Sequence, residues 1–366
     1  MGSDINSKMD AADSLPPAVK SSILMAYRAV GLGVYGATLR YAGMPLEKIA
    51  LYLNSAQVSG KNQLRQAVRL TFEDMTSASG RSFLAPYRVV GPASVVAWFL
   101  QYSAMGFVFQ ICDEALSNAL GVPRIPYGSQ LMEDSTFDSG EAPSVSRVNM
   151  YAKAVLAPVM SGGIESIVAN RAEVQRYFGI ERFTRLENRL GWNSLSRACA
   201  PAYMANASRN CIMSATSFVI TPVLYRQLYP QDRKNQTSLF WFGLGVNVFV
   251  GNTIAITQQA LWGRALDFAV AEGGARKISY REVIHDGIKK EGISAFYTAP
   301  KWASRVLMNA PVQGTLPWFY NEVLPLGEGN VLRLVKQAYA SMKGGVDPSV
   351  EINNNGVKLK CESYEQ

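Results

Sequence analysis

Histidine is almost absent from this sequence: His285 stands alone in 366 residues. That removes any site built on paired histidines, whether for a metal or for acid–base work. Cysteine is scarce too. Cys112, Cys199, Cys211 and Cys361 show neither metal-ligand spacing nor a disulfide framework, so no metal site is expected. Charge is the third shortage, at 17% of residues against about 25% in ordinary soluble chains. A large soluble helical bundle would carry far more. No phosphate-cradling glycine loop and no nucleophile constellation appears, so neither an enzyme nor a cofactor is expected. The first twenty residues lack the apolar run of a secretory signal, and they are not the Arg-rich, acid-free stretch of a transit peptide.

What is present is apolar. Hydrophobic residues make up 48% of the chain, with 30 glycines and 10% aromatics. The mean hydropathy is nevertheless close to zero, as in a membrane bundle whose helices are apolar on one side and polar on the other. The net charge of +8 suits an anionic membrane surface or anionic solutes. Nucleic acid is not expected, because zinc spacings, RNA-recognition signatures and long basic runs are missing.

Apolar stretches with few charges run over 21–56, 90–117, 146–178, 199–228, 238–270 and 303–326. Each is long enough to cross about 30 Å of hydrocarbon as a helix. Their scattered Ser, Asn, Gln and Arg fit helices that face lipid on one side and a polar cavity on the other.

A repeat underlies the six stretches. SYREVIHDGIKKEGISAFY (279–297) reads as a short amphipathic helix, then Glu291-Gly292, then Phe296-Tyr297. The first repeat answers with Gly80 before Phe83-Leu84, the second with Gly191 before Leu195. The three glycines are spaced about 100 residues apart, with two spans per unit. A second marker keeps the register: Pro45-Leu46-Glu47-Lys48-Ile49-Ala50, Arg171-Ala172-Glu173-Val174-Gln175-Arg176 and Gln259-Ala260-Leu261-Trp262-Gly263-Arg264. Gly36, Gly162 and Gly251 precede these segments, where small residues let membrane helices approach closely.

These motifs resemble those of the mitochondrial carrier family, whose repeat has Pro-x-Asp/Glu-x-x-Lys/Arg closing each odd helix and Glu-Gly-x-x-x-aromatic-Tyr leading into each even one. The resemblance covers roughly residues 20–328. It implies an all-α membrane protein of the mitochondrial inner membrane, with six transmembrane helices in three pseudo-symmetric two-helix repeats and short matrix-side amphipathic helices. The divisions are a polar segment over 1–20, repeats over 21–117, 148–230 and 231–328, an exposed loop over 118–147, and a polar tail over 329–366. The family's matrix-side ring of ion pairs carries over as Glu47 with Arg176 and Glu173 with Arg264, and the third pair becomes apolar, Ala50 with Leu261. Solute sites on the even helices carry over as Arg209 with Asn206 and Arg305 with Asn309. Membrane lipids, among them anionic ones such as cardiolipin, are the expected surroundings.

Two departures stand out. Prolines are replaced by Arg171 and Gln259, so helices three and five should be straighter unless Gly163 or Gly263 bends them. The stretches at Phe109–Asp113, Tyr225–Tyr229 and Tyr320–Leu324 lack the acid–base spacing of the family's cytosolic gate. Two functions follow: exchange of a small anionic solute, or service as a carrier-fold accessory subunit in a larger membrane complex such as a respiratory-chain assembly.

Overall fold

The computed structural model describes residues 16–55, 57–58, 60, 62–79, 92–122, 146–178, 180–190, 202–229, 236–271 and 279–344. The repeat glycines Gly80 and Gly191, most of the expected loop over 118–147 and the end of the expected tail lie outside them. Among the described residues every regular element is helical and no strand occurs. In chain order these are α1 (Pro17–Ala42), α2 (Met44–Asn54), α3 (Gln63–Ser79), α4 (Pro92–Leu120), α5 (Arg147–Phe178), α6 (Ile180–Leu190) and α7 (Tyr203–Ser214). There follow α8 (Thr221–Leu228), α9 (Gln236–Val246), α10 (Asn252–Ala271), α11 (Tyr280–Glu291), α12 (Ala299–Asn309), α13 (Leu316–Trp318) and α14 (Leu324–Gly344). π-helical turns over Ala215–Ile220 and Asn247–Gly251 join α7 to α8 and α9 to α10, and two more, Ala310–Gly314 and Phe319–Val323, flank α13.

The chain divides into two units. Residues 25–326 form one; residues 1–24 with 327–366 form the other, helical over its described parts. The helix bundle and its buried polar residues belong to the larger unit.

Each of the six apolar stretches is helical over almost all of its described residues. Three helices, Val19–Ala42, Val95–Leu120 and Ser238–Ala271, are long and apolar enough to cross a membrane, and the bent α5 makes a fourth when its halves are taken as one span. The chain is thus an all-helical membrane protein. The stretches 199–228 and 303–326 are absent from that set for a physical reason. Their inward faces are polar: Asn206, Arg209, Asn210 and Ser214 in one, Ser304, Arg305, Asn309 and Gln313 in the other, all buried.

Packing follows chain order and then closes. α1 meets α4, α4 packs on α5, α5 on α7, α7 on α10 and α10 on α12, which returns to α2. Gly36 faces the Tyr102 ring of α4, Gly162 faces the backbone of Cys211 in α7, and Gly251 faces Thr216. The small residues singled out in the sequence therefore do sit at close helix approaches. Of the apolar clusters among the described residues, two are large. One gathers Leu32, Trp98, Tyr102, Phe109, Phe218 and Tyr320; the other gathers Val174, Phe178, Phe183, Trp262 and Leu266. Along α5 and α7 the polar residues fall between these clusters.

The short helices behave as their sequences direct. Ser279 caps α11 by accepting the Glu282 amide, and Gly292 ends it at φ +67°, a conformation that favours glycine. Tyr280, at the head of α11, accepts a hydrogen bond from the Ala205 amide; burial raises its phenol above the ordinary value.

The straighter third helix expected without a proline is not found, and the bend falls near Gly163, the exception named for it. α5 is not straight: it bends by 54° between its halves, Arg147–Ile167 and Ala169–Phe178. No proline stands at the bend. Instead the Tyr203 hydroxyl donates to the Gly163 carbonyl at 2.9 Å and the Ser166 hydroxyl to the Gly162 carbonyl at 2.7 Å. Side chains that enter the helical ladder in this way open it on one side.

A Cβ at position 162 would come within 3 Å of the Cys211 backbone, whereas one at Gly245 would meet open space. Gly162→Ala should therefore cost about 1–3 kcal/mol, and Gly245→Ala should be neutral or up to about 1 kcal/mol stabilising. Denaturant unfolding in detergent micelles compares the two; equal stabilities would contradict the close approach.

Candidate functional site

Arg40, Glu47, Ala50, Leu51, Asn54, Glu173, Arg176, Arg209, Gln259, Arg305 and Met308 enclose a small cavity of about 20 Å³, room for about one water molecule. They come from α1, α2, α5, α7, α10 and α12, and α4 adds Gln101 and Tyr102 at the edge.

Arg209 is the best-connected member. Its Nη2 donates to Glu173 Oε1 at 2.8 Å and to Asn206 Oδ1 at 2.9 Å, its Nε to Asn210 Oδ1 at 3.0 Å, and its Nη1 to Gln259 Oε1 at 2.6 Å. Arg305 Nη1 donates to that same Gln259 oxygen at 3.1 Å. Two guanidiniums thus converge on one neutral amide oxygen. Arg305 is 2% exposed, and its Nε has no hydrogen-bond partner. Arg40 is tied to Tyr102 and Asn309, each at 2.7 Å, and lies 4.0 Å from Glu47. Four guanidiniums, from Arg40, Arg176, Arg209 and Arg305, face two carboxylates, from Glu47 and Glu173. The lining therefore carries an excess of positive charge in a small, mostly buried space. Such an arrangement favours an anion, above all one with two or more oxygens to accept paired guanidinium hydrogen bonds.

Of the expected pairs, Glu47 and Arg176 meet, with Arg176 Nε 3.4 Å from Glu47 Oε1 and its guanidinium 5.1 Å from the centre of the Trp98 ring. Glu173 does not pair with Arg264. Its ion pair is with Arg209, while Arg264 reaches Glu291 at 2.7 Å and the Ala295 carbonyl at 3.0 Å. Arg264 thereby fastens α10 to the end of α11, and Arg209 satisfies Glu173 from the neighbouring helix. Ala50 lines the cavity, but Leu261 packs with the Val174 and Trp262 cluster, so the two sit in different surroundings. Arg209 and Asn206 are joined as expected. Arg305 and Asn309 are not: Asn309 accepts from Arg40 and donates to Asn252 at 3.4 Å, and Arg305 turns to Gln259.

Several members escaped the sequence reading. Gln259 stands where the repeat has a proline, a position that reads as a lost kink rather than as a ligand. Arg40 lies just before the first motif. Gln101 on α4 bridges Glu165 and Glu173, at 3.2 Å each. A buried ion pair was missed as well: Lys153 on α5 lies 2.9 Å from Asp113 on α4, both nearly inaccessible. Asp113 is roughly 18 Å farther along α4 than Gln101, at 1.5 Å per residue. The two partners are far apart in sequence, so no local spacing could reveal them. Among the described residues no group of three or more His, Cys, Asp or Glu side chains is placed to hold a metal ion.

Fold and site together define a class, a helical membrane protein with a buried, cation-rich polar centre. Compared with known proteins, the chain matches no family model and no curated sequence.

Removing one member of a buried ion pair leaves the other uncompensated, at about 3–5 kcal/mol, whereas removing both is often tolerated. Lys153→Met should accordingly destabilise far more than the double variant Lys153→Met with Asp113→Leu. A double-mutant cycle on unfolding in detergent reads the coupling; additive effects would mean that the contact is energetically silent.

Proposed function

We propose that this chain is a six-helix carrier of the mitochondrial inner membrane, built from three two-helix repeats, that exchanges a small anionic solute through its central polar site. The observation that carries the reading is the convergence of all six apolar stretches on one buried network with surplus guanidinium charge. A membrane helix bears the cost of a buried arginine where the arginine faces an interior polar site. Here four arginines do so together. Arg209 and Arg305, sharing Gln259, form the natural seat for the solute, with a carboxylate or phosphate taking the place of the amide oxygen. Glu47 with Arg176, and Arg209 with Glu173, hold that seat shut on the side of α2 and the bent end of α5. The enclosed space admits no solute as it stands, so the arrangement is a closed state and binding requires the helices to part.

A specific observation favours a second reading. The five nitrogen–oxygen contacts of Arg209 already engage its Nε, Nη1 and Nη2. A guanidinium so fully bonded also suits a carrier-fold subunit that serves a larger assembly without transport. Size in mild detergent separates the two: co-purification with a large complex favours the subunit, and a lone chain of 40 kDa plus detergent favours the carrier.

Uptake of labelled phosphate, nucleotides and dicarboxylates into proteoliposomes tests the activity. Arg305→Gln should weaken the response to the transported anion by about ten- to a hundredfold, the worth of a charged hydrogen bond. Silence across the whole set of anions would overturn the carrier reading. The six-span topology has its own test. In a cysteine-free background, Asn188→Cys and Tyr229→Cys should react with a membrane-impermeant thiol reagent from opposite sides; labelling from the same side would show that α7 and α8 do not cross.

A further inference from the structure

We infer that Glu165 is a proton-binding site that couples proton uptake to anion binding at the neighbouring guanidiniums. This deepens the carrier reading and rests on it. Glu165 lies on α5 and is 2% exposed. Its Oε1 accepts one hydrogen bond, from Gln101 Nε2 at 3.2 Å, and its Oε2 has no hydrogen-bond partner. The same Gln101 nitrogen bonds Glu173 Oε1, also at 3.2 Å. Two carboxyl groups on one helix are therefore held by a single amide, but they are served very differently. Glu173 has Arg209 at 2.8 Å and an Asn206 amide at 3.2 Å on its other oxygen. Glu165 has one neutral donor and no ion-pair contact among the described residues.

An ionised carboxylate buried with so little compensation is costly, and a second carboxylate close by adds to the cost. A proton removes it. The step is simple: a hydronium ion breaks one O–H bond and leaves as water, its proton forms one O–H bond to the open Oε2, nothing is oxidised or reduced, and the carboxyl becomes neutral. The charged and titratable groups facing it are Glu173 on its own helix, Arg40 from α1, Tyr102 from α4, and Arg209 and Cys211 from α7.

Coupling comes from Arg209. An anion that enters between Arg209 and Arg305 competes with Glu173 for the Arg209 guanidinium. Glu173, once released, shares Gln101 with Glu165, and two carboxylates at one donor hold a common proton more firmly than either alone. Anion and proton therefore favour each other's binding, and the effect is reciprocal. A carrier with this linkage moves the two together.

The test uses the full-length protein in phosphatidylcholine vesicles, with labelled inorganic phosphate and, separately, labelled succinate. With acid outside, accumulation should rise by up to about tenfold for each unit of pH gradient, the equivalent of one coupled proton. Glu165→Gln, which keeps the shape and the Gln101 contact, should lose this dependence while exchange against the same anion trapped inside continues. Unchanged gradient dependence in the variant would overturn the proposal. Infrared spectroscopy of the reconstituted protein gives a readout independent of transport. A protonated-carboxyl band should titrate with pH, shift when phosphate is added and vanish in Glu165→Gln; its absence from the unsubstituted protein would also overturn the proposal. If the band behaves as described but neither anion moves under any gradient, the carrier reading fails and the proton site stands by itself.

Discussion

The buried guanidinium of Arg209 is the constraint on which the rest of the larger unit depends. It sits at 4% exposure and reaches side chains on α5, α7 and α10 at once. In a bilayer the apolar faces of helices gain little by leaving lipid, so close packing and polar contacts decide which helices meet and in what register. A guanidinium has five donors, all of which want acceptors once water is excluded. Glu173, Asn206, Asn210 and Gln259 supply them, and to do so α5 must bend and α7 must come within touching distance of it. The Gly162 contact with the Cys211 backbone allows that approach, and the hydroxyls of Tyr203 and Ser166 accommodate the bend. Placement of these three helices is thus one problem with one solution, not three separate packing choices.

Much of the fold was legible in the sequence, because lipid imposes a length and an apolar surface that leave their mark. The six stretches are helical over almost all of their described residues, and the capping at Ser279 and the stop at Gly292 follow from local chemistry alone. Gly36 and Gly162 sit at helix contacts where a Cβ would come within 3 Å of a neighbour, and Gly251 sits at a close contact with Thr216. The shortage of charge was informative in the same way: residues such as Arg209 and Arg305 stand out when few others are present.

The candidate site was only half legible. Arg209 with Asn206, and Glu47 with Arg176, could be named from motif register. The partners of Glu173, Arg264 and Asn309 could not, since each is set by which neighbouring helix presents a group at the right height. Lys153 with Asp113 shows the limit most plainly, for the contact joins residues 40 apart through the geometry of a helical pair. A bend in α5 was left open through Gly163, but the hydroxyls that bond the Gly162 and Gly163 carbonyls there were not foreseen. Hydroxyls that compete for backbone carbonyls leave a fainter trace, a serine and a tyrosine that look ordinary in a sequence.

The π-helical turns have a consequence of another kind. Each admits one residue more than an α-helical turn, so the segment beyond it is rotated by about 100° relative to the segment before. Ser217 and Gln313 lie in two such turns and face each other across the bundle. The helices 203–228 and 236–271 therefore each present two differently phased inner faces, one towards the charged centre and one towards the far end of the bundle, and 299–326, with two such turns, changes phase twice. A π turn can also migrate along its helix by exchanging one carbonyl acceptor for the next. That gives these segments a means of turning a side chain from one neighbour to another in single-residue increments, like a ratchet cut into the helix, without the helix ever coming undone.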